Sequence, residues 1–554
     1  MKKISIIGYL LFAVVSTFAQ PGWVKNASRS VFTLKTFTAD GSLIASSNGF
    51  FTGTNGEAVS NFTPFKGAAR AVVIDAQGKE LQVAGIIGAN DMYDVVKFRV
   101  SNVKPQPLAI SSAISPVGSV AYLLPYHEVK AVKSGSVRKA ETFQEYYHYY
   151  TVALSMGENQ VGCPLLNASG QVIGMMQQPA ILGDSLSYAV SASFADSLKI
   201  TGLTFNDETL RLTQVKKLLP TDIKEASLIL FFAGSQVDSA QYVSLIQDFV
   251  QQFPNAPEGY IYRAQQETVA GDFAGAERDM EQALKFANPK DDAYFNYARM
   301  IYNKEIFQSA QPYAGWSLEK ALQQIQAANA INTQPTYRQL EANIRFAMKQ
   351  YQDAYDIYQE LLTTNLRSAE LFFAAARCKE MQKDSTAMLA LMDSTIAMFN
   401  RPYLKEVAPY LWARAEARRN AGRYRDAVSD MNEYETLMTA TVNDNFYYIR
   451  HQVEIQGRLY QQALNDINRA IQMNPNEILY YAEKASLEIR VGFYDQAIAT
   501  AKECIALDAS NSDGFLFLGL AQCLKGQKAE GIKNLQKAKE YGDTQAEDLI
   551  EKYK

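Results

Sequence analysis

A chain of 554 residues with a formal net charge of −4 and a pI near 5.7 has room for several domains and no global positive charge to draw it to nucleic acid. Its four cysteines, Cys163, Cys378, Cys504 and Cys523, are spaced for neither a zinc site nor a disulfide framework, and its three histidines lie apart. No metal site and no cofactor is expected.

The chain opens with Met1, Lys2 and Lys3, an apolar run from Ile4 to Val15, and then Ser16-Thr17-Phe18-Ala19. A positive start, a short apolar stretch and small residues at Thr17 and Ala19 read as a secretory signal peptide over residues 1–19, cut after Ala19. The run is too short to cross a bilayer without strain, and no later stretch is long and apolar enough to do so. The expectation is an exported protein, periplasmic or associated with the outer membrane, with no direct membrane span.

Residues 20–200 read as short strands. Ser30-Val31-Phe32-Thr33-Leu34 and Ala71-Val72-Val73-Ile74 are β-rich, and turn signals recur at Ala39-Asp40-Gly41, Thr54-Asn55-Gly56, Ala76-Gln77-Gly78 and Ala168-Ser169-Gly170. This spacing predicts a barrel or a sandwich. Residues 201–225 read as a linker. After Asp207 the pattern is helical to the end.

The helical part repeats itself. Ala463, Ala497 and Gly531 recur every 34 residues, as do Ala470, Cys504 and Ala538. Turns of one kind precede the second helix of each unit, as in Gly271-Asp272-Phe273, Gly422-Arg423-Tyr424 and Gly492-Phe493-Tyr494. Small residues recur in the first helix at Ala264, Ala298, Ala342, Ala376, Ala415 and Ala485, and in the second at Ala276, Ala321, Ala354 and Ala427. This resembles the tetratricopeptide repeat (TPR) family. About eight units span 257–543, with an insertion at 303–317. A degenerate unit covers 222–256, and 544–554 reads as a capping helix.

The resemblance implies a superhelix whose groove is lined by the first helix of each unit, a surface for a protein or peptide partner. In this family the fifth and ninth residues of the unit face that groove. At the fifth position stand Phe295, Phe373, Trp412 and Tyr448; at the ninth stand Arg299, Arg377 and Gln452. Aromatic and Arg side chains supply binding hot spots; the alternative for the aromatics is packing between helices.

Three segments of the β-rich part resemble trypsin-like serine proteases of the HtrA type. Asn48-Gly49-Phe50-Phe51-Thr52-Gly53 leads through Ala58-Val59-Ser60-Asn61 to the place of the catalytic His. Gly88-Ala89-Asn90-Asp91-Met92-Tyr93-Asp94 resembles the aspartate segment. Gln160-Val161-Gly162-Cys163-Pro164-Leu165-Leu166-Asn167 resembles the nucleophile loop. The likeness implies a multidomain protein, an all-β double barrel followed by an all-α TPR superhelix. It also implies a lost triad. The family's mechanism needs a Ser nucleophile, a His base and an Asp to orient it. Here those positions hold Val161, Thr63 and Asp94, and Asn159 stands where a glycine helps form the oxyanion hole. The expectation is a pseudoprotease barrel used for docking. The competing expectation is a divergent peptidase with Cys163 as nucleophile, assisted by His127 or His148.

Overall fold

A computed structural model describes residues 21–126, 132–181 and 183–554. The signal-peptide reading of 1–19 and His127 lie outside the described residues. The chain folds as two compact units that divide between Ala287 and Asn288.

The first unit opens with a short helix, α1 (Val24–Ala27), and a six-stranded closed barrel. Its strands are β1 (Val31–Phe37), β2 (Leu43–Phe51), β3 (Glu57–Ser60), β4 (Arg70–Ile74), β5 (Glu80–Asn90) and β6 (Val95–Val100). A second closed barrel follows, from β7 (Val120–Leu123), β8 (Lys133–Phe143), β9 (Tyr147–Ala153), β10 (Pro164–Leu166), β11 (Val172–Met176) and β12 (Ser187–Ser191). Around the first barrel the order is β1-β2-β3-β6-β5-β4, and the second repeats it as β7-β8-β9-β12-β11-β10. One antiparallel topology used twice is the trypsin-like double barrel.

Alternation sets the inside of each barrel. Along β1, Phe32 and Leu34 point inward, and Phe32 meets Phe51 and Phe98 edge-on at 4.9 and 6.1 Å. A second cluster, with Val31, Phe50 and Val95 from one barrel and Leu124, Leu166 and Val190 from the other, joins the two.

The stretch 201–225, which the sequence offers as a linker, is instead strapped to the first barrel. Gln214 N–H donates to the Ala68 carbonyl at 2.8 Å, Ile86 N–H to the Lys216 carbonyl at 2.7 Å, and Leu218 N–H back to the Ile86 carbonyl at 2.8 Å. Two glycines of β5 make room: a Cβ at Gly85 would fall 2.5 Å from the Lys216 oxygen, and one at Gly88 would fall 2.5 Å from the Leu198 carbonyl carbon. Ile200, Phe205, Leu210, Val215 and Leu219 then enter one core with Ile86 and Phe98 of the barrel. The same core takes in Ile229, Leu230 and Phe249 from α3 (Ile223–Ala233) and α4 (Ser239–Gln252), which follow the short α2 (Glu208–Arg211). The hairpin α5 (Pro257–Ala270) and α6 (Phe273–Phe286) completes the unit.

The second unit is all helix: α7 (Asp291–Phe307), α8 (Leu318–Ile331), α9 (Pro335–Ala347), α10 (Tyr351–Leu361), α11 (Ala369–Met381), α12 (Ser385–Ala397), α13 (Ala408–Asn420), α14 (Tyr424–Met438), α15 (Asp444–Gln456), α16 (Tyr460–Met473), α17 (Ile478–Arg490), α18 (Tyr494–Leu507), α19 (Ser512–Leu524), α20 (Lys528–Glu540) and α21 (Ala546–Tyr553). Odd and even helices pair as hairpins from α7 to α20. Ala298, Ala321, Ala342, Ala354, Ala415 and Ala427 are fully buried at the crossings, where a larger side chain would hold the helices apart. Gly422 and Gly492 end α13 and α17 in the left-handed region, at φ 72° and 84°. The insertion seen in sequence is partly an extension of α7, which runs on to Phe307 before a loop leads to α8.

One motif crosses the hairpins. Arg263 grips Asp279 with two hydrogen bonds of 2.5 and 2.7 Å, Arg414 grips Asp430 at 3.0 and 2.7 Å, and Arg450 grips Asp466 at 2.6 and 2.9 Å. Each pair joins the seventh residue of a first helix to a buried Asp of the second, and the guanidinium fork suits a carboxylate held in two places.

Candidate functional site

A cleft of about 680 Å³ in the first unit is lined by Asn48, Asn61, Thr63, Tyr126, Val161 and Gln178 among others. Thr63 and Val161, assigned in sequence to the base and nucleophile positions, are thus brought to one cleft. Asp94 is brought to Thr63: the Thr63 N–H donates to its Oδ1 at 2.6 Å. Asp94 itself sits in the left-handed region, at φ 49°.

The cleft's chemistry is that of neutral hydrogen bonding. The Asn48 side-chain N–H group donates to the carbonyls of Asn159 (2.9 Å) and Val161 (3.1 Å), and the Ser47 hydroxyl donates to Asn61 Oδ1. An oxyanion hole needs converging N–H donors. This loop instead turns the carbonyl oxygens of Asn159 and Val161 to the Asn48 amide. No His and no ionised side chain lines the cleft among the described residues. Beside it, Tyr93 stacks on Phe143 at 4.2 Å and meets Phe194 at 5.2 Å, so the aspartate loop of one barrel is packed against the β8–β9 hairpin of the other.

Cys163 is fully buried in the core of the second barrel, and burial pushes its thiol up to about 12. A nucleophilic cysteine needs a depressed pKa and access to substrate, and Cys163 has neither. His148 is buried on β9, its Nε2 3.4 Å from the Thr142 hydroxyl and its ring stacked with Tyr150. The Cys163 alternative gains no geometric support.

In the second unit, the residues assigned to the groove fall into two groups. The fifth-position aromatics are half-buried and packed against the next hairpin. Phe295 stacks on Tyr337 at 4.7 Å, Phe373 meets Tyr410 at 5.3 Å, Trp412 lies 5.2 Å from Tyr434 and 6.0 Å from Phe446, and Tyr448 lies 5.3 Å from Tyr480. They space the repeats. The ninth-position residues Arg299, Arg377 and Gln452 are exposed. Arg299 lies over the Phe295 ring and bonds Asn296, Arg377 pairs with Glu380 at 2.8 Å, and Gln452 donates to the Tyr448 hydroxyl at 2.7 Å.

Two hollows open on these first helices. One, of about 530 Å³, is framed by Phe373, Arg377, Met388, Met392 and Arg419. The other, of about 480 Å³, is framed by Arg419, Gln452, Gln456, Ser486 and Arg490. They share Arg419 and so adjoin along the groove face of α11, α13, α15 and α17. Arg419, Gln456 and Arg490 were not singled out from the sequence. The signal was present, because each lies three or four residues past a ninth position and so on the same helix face.

No family model matches the chain. Over 95 residues it is 30% identical to the small glutamine-rich tetratricopeptide repeat-containing protein 2 of Saccharomyces cerevisiae, a match covering 17% of this chain and 28% of that protein's length. Among solved structures, the Rv3671c protease of M. tuberculosis in its active form aligns at 17% identity and a TM-score of 0.28, over 32% of this chain and 82% of that one. The HtrA-type protease AlgW, solved with a tripeptide, aligns at 17% identity and a TM-score of 0.28, over 31% and 60%. By its two closed rings of one topology and its serially paired helices, the chain carries a trypsin-like double barrel followed by a TPR-like helical region.

Proposed function

We propose that this chain is an exported scaffold of the cell envelope, periplasmic or associated with the outer membrane, which grips a partner protein or peptide in its helical groove. The barrel is then a catalytically silent docking or structural module. The observation that supports the reading is the content of the cleft: Val161 and Thr63, which the resemblance assigns to nucleophile and base, line it without a group for either task, and the buried Cys163 thiol is held protonated. The groove supports the binding half, since Arg299, Arg377 and Gln452 are exposed on first helices whose aromatic neighbours are already spent on packing. Phe295, Phe373, Trp412 and Tyr448 hold that surface in register. Function resides in sites and not in folds, so a barrel that lost its triad is read by what it still presents.

The test is affinity capture from cross-linked cells of an exporting host. The tagged chain is compared with a variant carrying Arg299→Ala, Arg377→Ala and Gln452→Ala, all exposed and so compatible with folding. A partner held by the native chain and lost by the folded variant is the expected result. The same partners on both chains would remove the groove from the account.

A further inference from the structure

The groove shared by α11, α13, α15 and α17 has an asymmetry in its charges. Most guanidinium groups of the second unit are already committed. Arg338 and Arg345 pair with Glu341, Arg414 and Arg418 with Asp393 and Asp430, Arg423 with Asp426, and Arg450 with Glu435 and Asp466. Arg419 and Arg490 form no ion pair and no side-chain hydrogen bond among the described residues, yet both line the groove. Lys383 joins them at the rim of the larger hollow, exposed at the turn between α11 and α12.

The groove's carboxylates do not outnumber these cations. Glu380 is engaged with Arg377 at 2.8 Å. Burial, then the Asp513 charge, push the Glu483 carboxyl above the ordinary range, while the Arg490 charge draws it back. Glu416 and Glu483 stand against Lys383, Arg419 and Arg490. Between the cations some apolar side chains are set into a mostly polar lining. Phe373, Met388 and Met392 lie beneath one hollow, and Val453 and Leu487 beneath the other. Methionine is the side chain that adapts to an irregular apolar guest. Cations in excess, beside these apolar side chains, ask for the complement of both.

We infer that the groove takes an internal acidic segment of a partner protein, with carboxylates on Arg419 and Arg490 and an apolar side chain set into the floor beside Phe373 and Met392. The inference rests on the scaffold reading and names the chemistry of its partner. An Arg–carboxylate contact in a partly desolvated groove is a directed, two-point bond. Steering by the cations makes the association sensitive to salt.

The experiment measures fluorescence anisotropy with the full chain and short fluorescein-labelled peptides. Each peptide has Glu residues flanking one Phe or Leu and is acetylated and amidated so that no terminal carboxylate is present. Control peptides carry Lys in place of Glu. The expected result is binding of the acidic peptides alone, weakened by salt. Arg419→Glu and Arg490→Glu should each weaken it at least about tenfold, and Arg458→Glu, at an exposed turn outside the groove, should leave it unchanged. Arg419→Gln keeps the surface polar and guards against a folding artefact, with the thermal midpoint as control. Equal binding of Lys and Glu peptides, or indifference to both Arg419 and Arg490, would overturn the inference. Binding that requires a free carboxyl terminus would overturn the internal segment. If acidic peptides fail while capture still depends on Arg377 and Gln452, the groove reading stands and its acidic partner falls. If both fail, the groove falls too.

Discussion

At the scale of single residues, the helical region handles charge by enclosing it. Arg450 is buried between Asp466, Glu435 and Glu454, three carboxylates around one guanidinium, with Arg469 at the edge 3.6 Å from Glu435. Not all three can be ionised cheaply in such a place. Glu454 yields: burial, then the Asp466 charge, push its carboxyl up to about 8 from an ordinary 4.5. The folded chain therefore holds a proton that the unfolded chain releases. Below pH 4.5 both states carry it. As pH rises toward about 8 the unfolded state sheds it first, so the stability owed to this group falls across that window. Urea denaturation of the native chain and of Glu454→Gln at acidic and mildly alkaline pH checks this. The variant should lose part of the downward slope, and an unchanged slope would clear Glu454 of the role. The sequence shows Arg and Asp at these positions but not their enclosure, because burial of a charge depends on which helices close over it. Cys163 is also enclosed: the closed second barrel buries a thiol whose place in the nucleophile loop was legible.

At the scale of elements, regular periods were legible and irregular ones were not. The strand Val31–Phe37 alternates, Arg70–Ile74 is a short apolar run buried at Ala71, Val72 and Val73, and the helical hairpins keep their small residues at fixed steps. The strap from Ile200 to Leu219 keeps neither period, since its buried apolar residues Ile200, Phe205, Leu210, Val215 and Leu219 fall every four or five positions. It reads as a linker until the barrel wall that receives it is seen. The fifth-position aromatics fail in the same way: facing the groove and bridging to the next hairpin use the same positions, and only packing distinguishes them. The strap leads to a prediction. A methyl group at Gly88 would press on the Leu198 backbone, which cannot swing aside as a side chain does. Gly88→Ala should cost about 1–3 kcal/mol by overpacking. Chemical denaturation of the first unit, residues 20–287, reads it directly, and a neutral result would mean that the strap is loosely held.

At the scale of the whole molecule, a trypsin-like double barrel precedes a TPR-like helical region with hollows on its first helices. The repeat period was legible because stacked hairpins impose a strict pattern, whereas the strand pattern alone left barrel and sandwich open and the double barrel came from the family resemblance. Arg419 and Arg490 were not recovered, because a cation's availability depends on whether a neighbour has claimed it. The most direct test of the central claim is photo-cross-linking in exporting cells, with a benzophenone amino acid placed singly at Arg377, Gln452, Thr63 and Lys533. The first two face the groove, Thr63 lies in the cleft, and Lys533 is exposed on α20. The account predicts one shared partner adduct at positions 377 and 452 and none at 533. An adduct at 533 with none at 377 or 452 would contradict it.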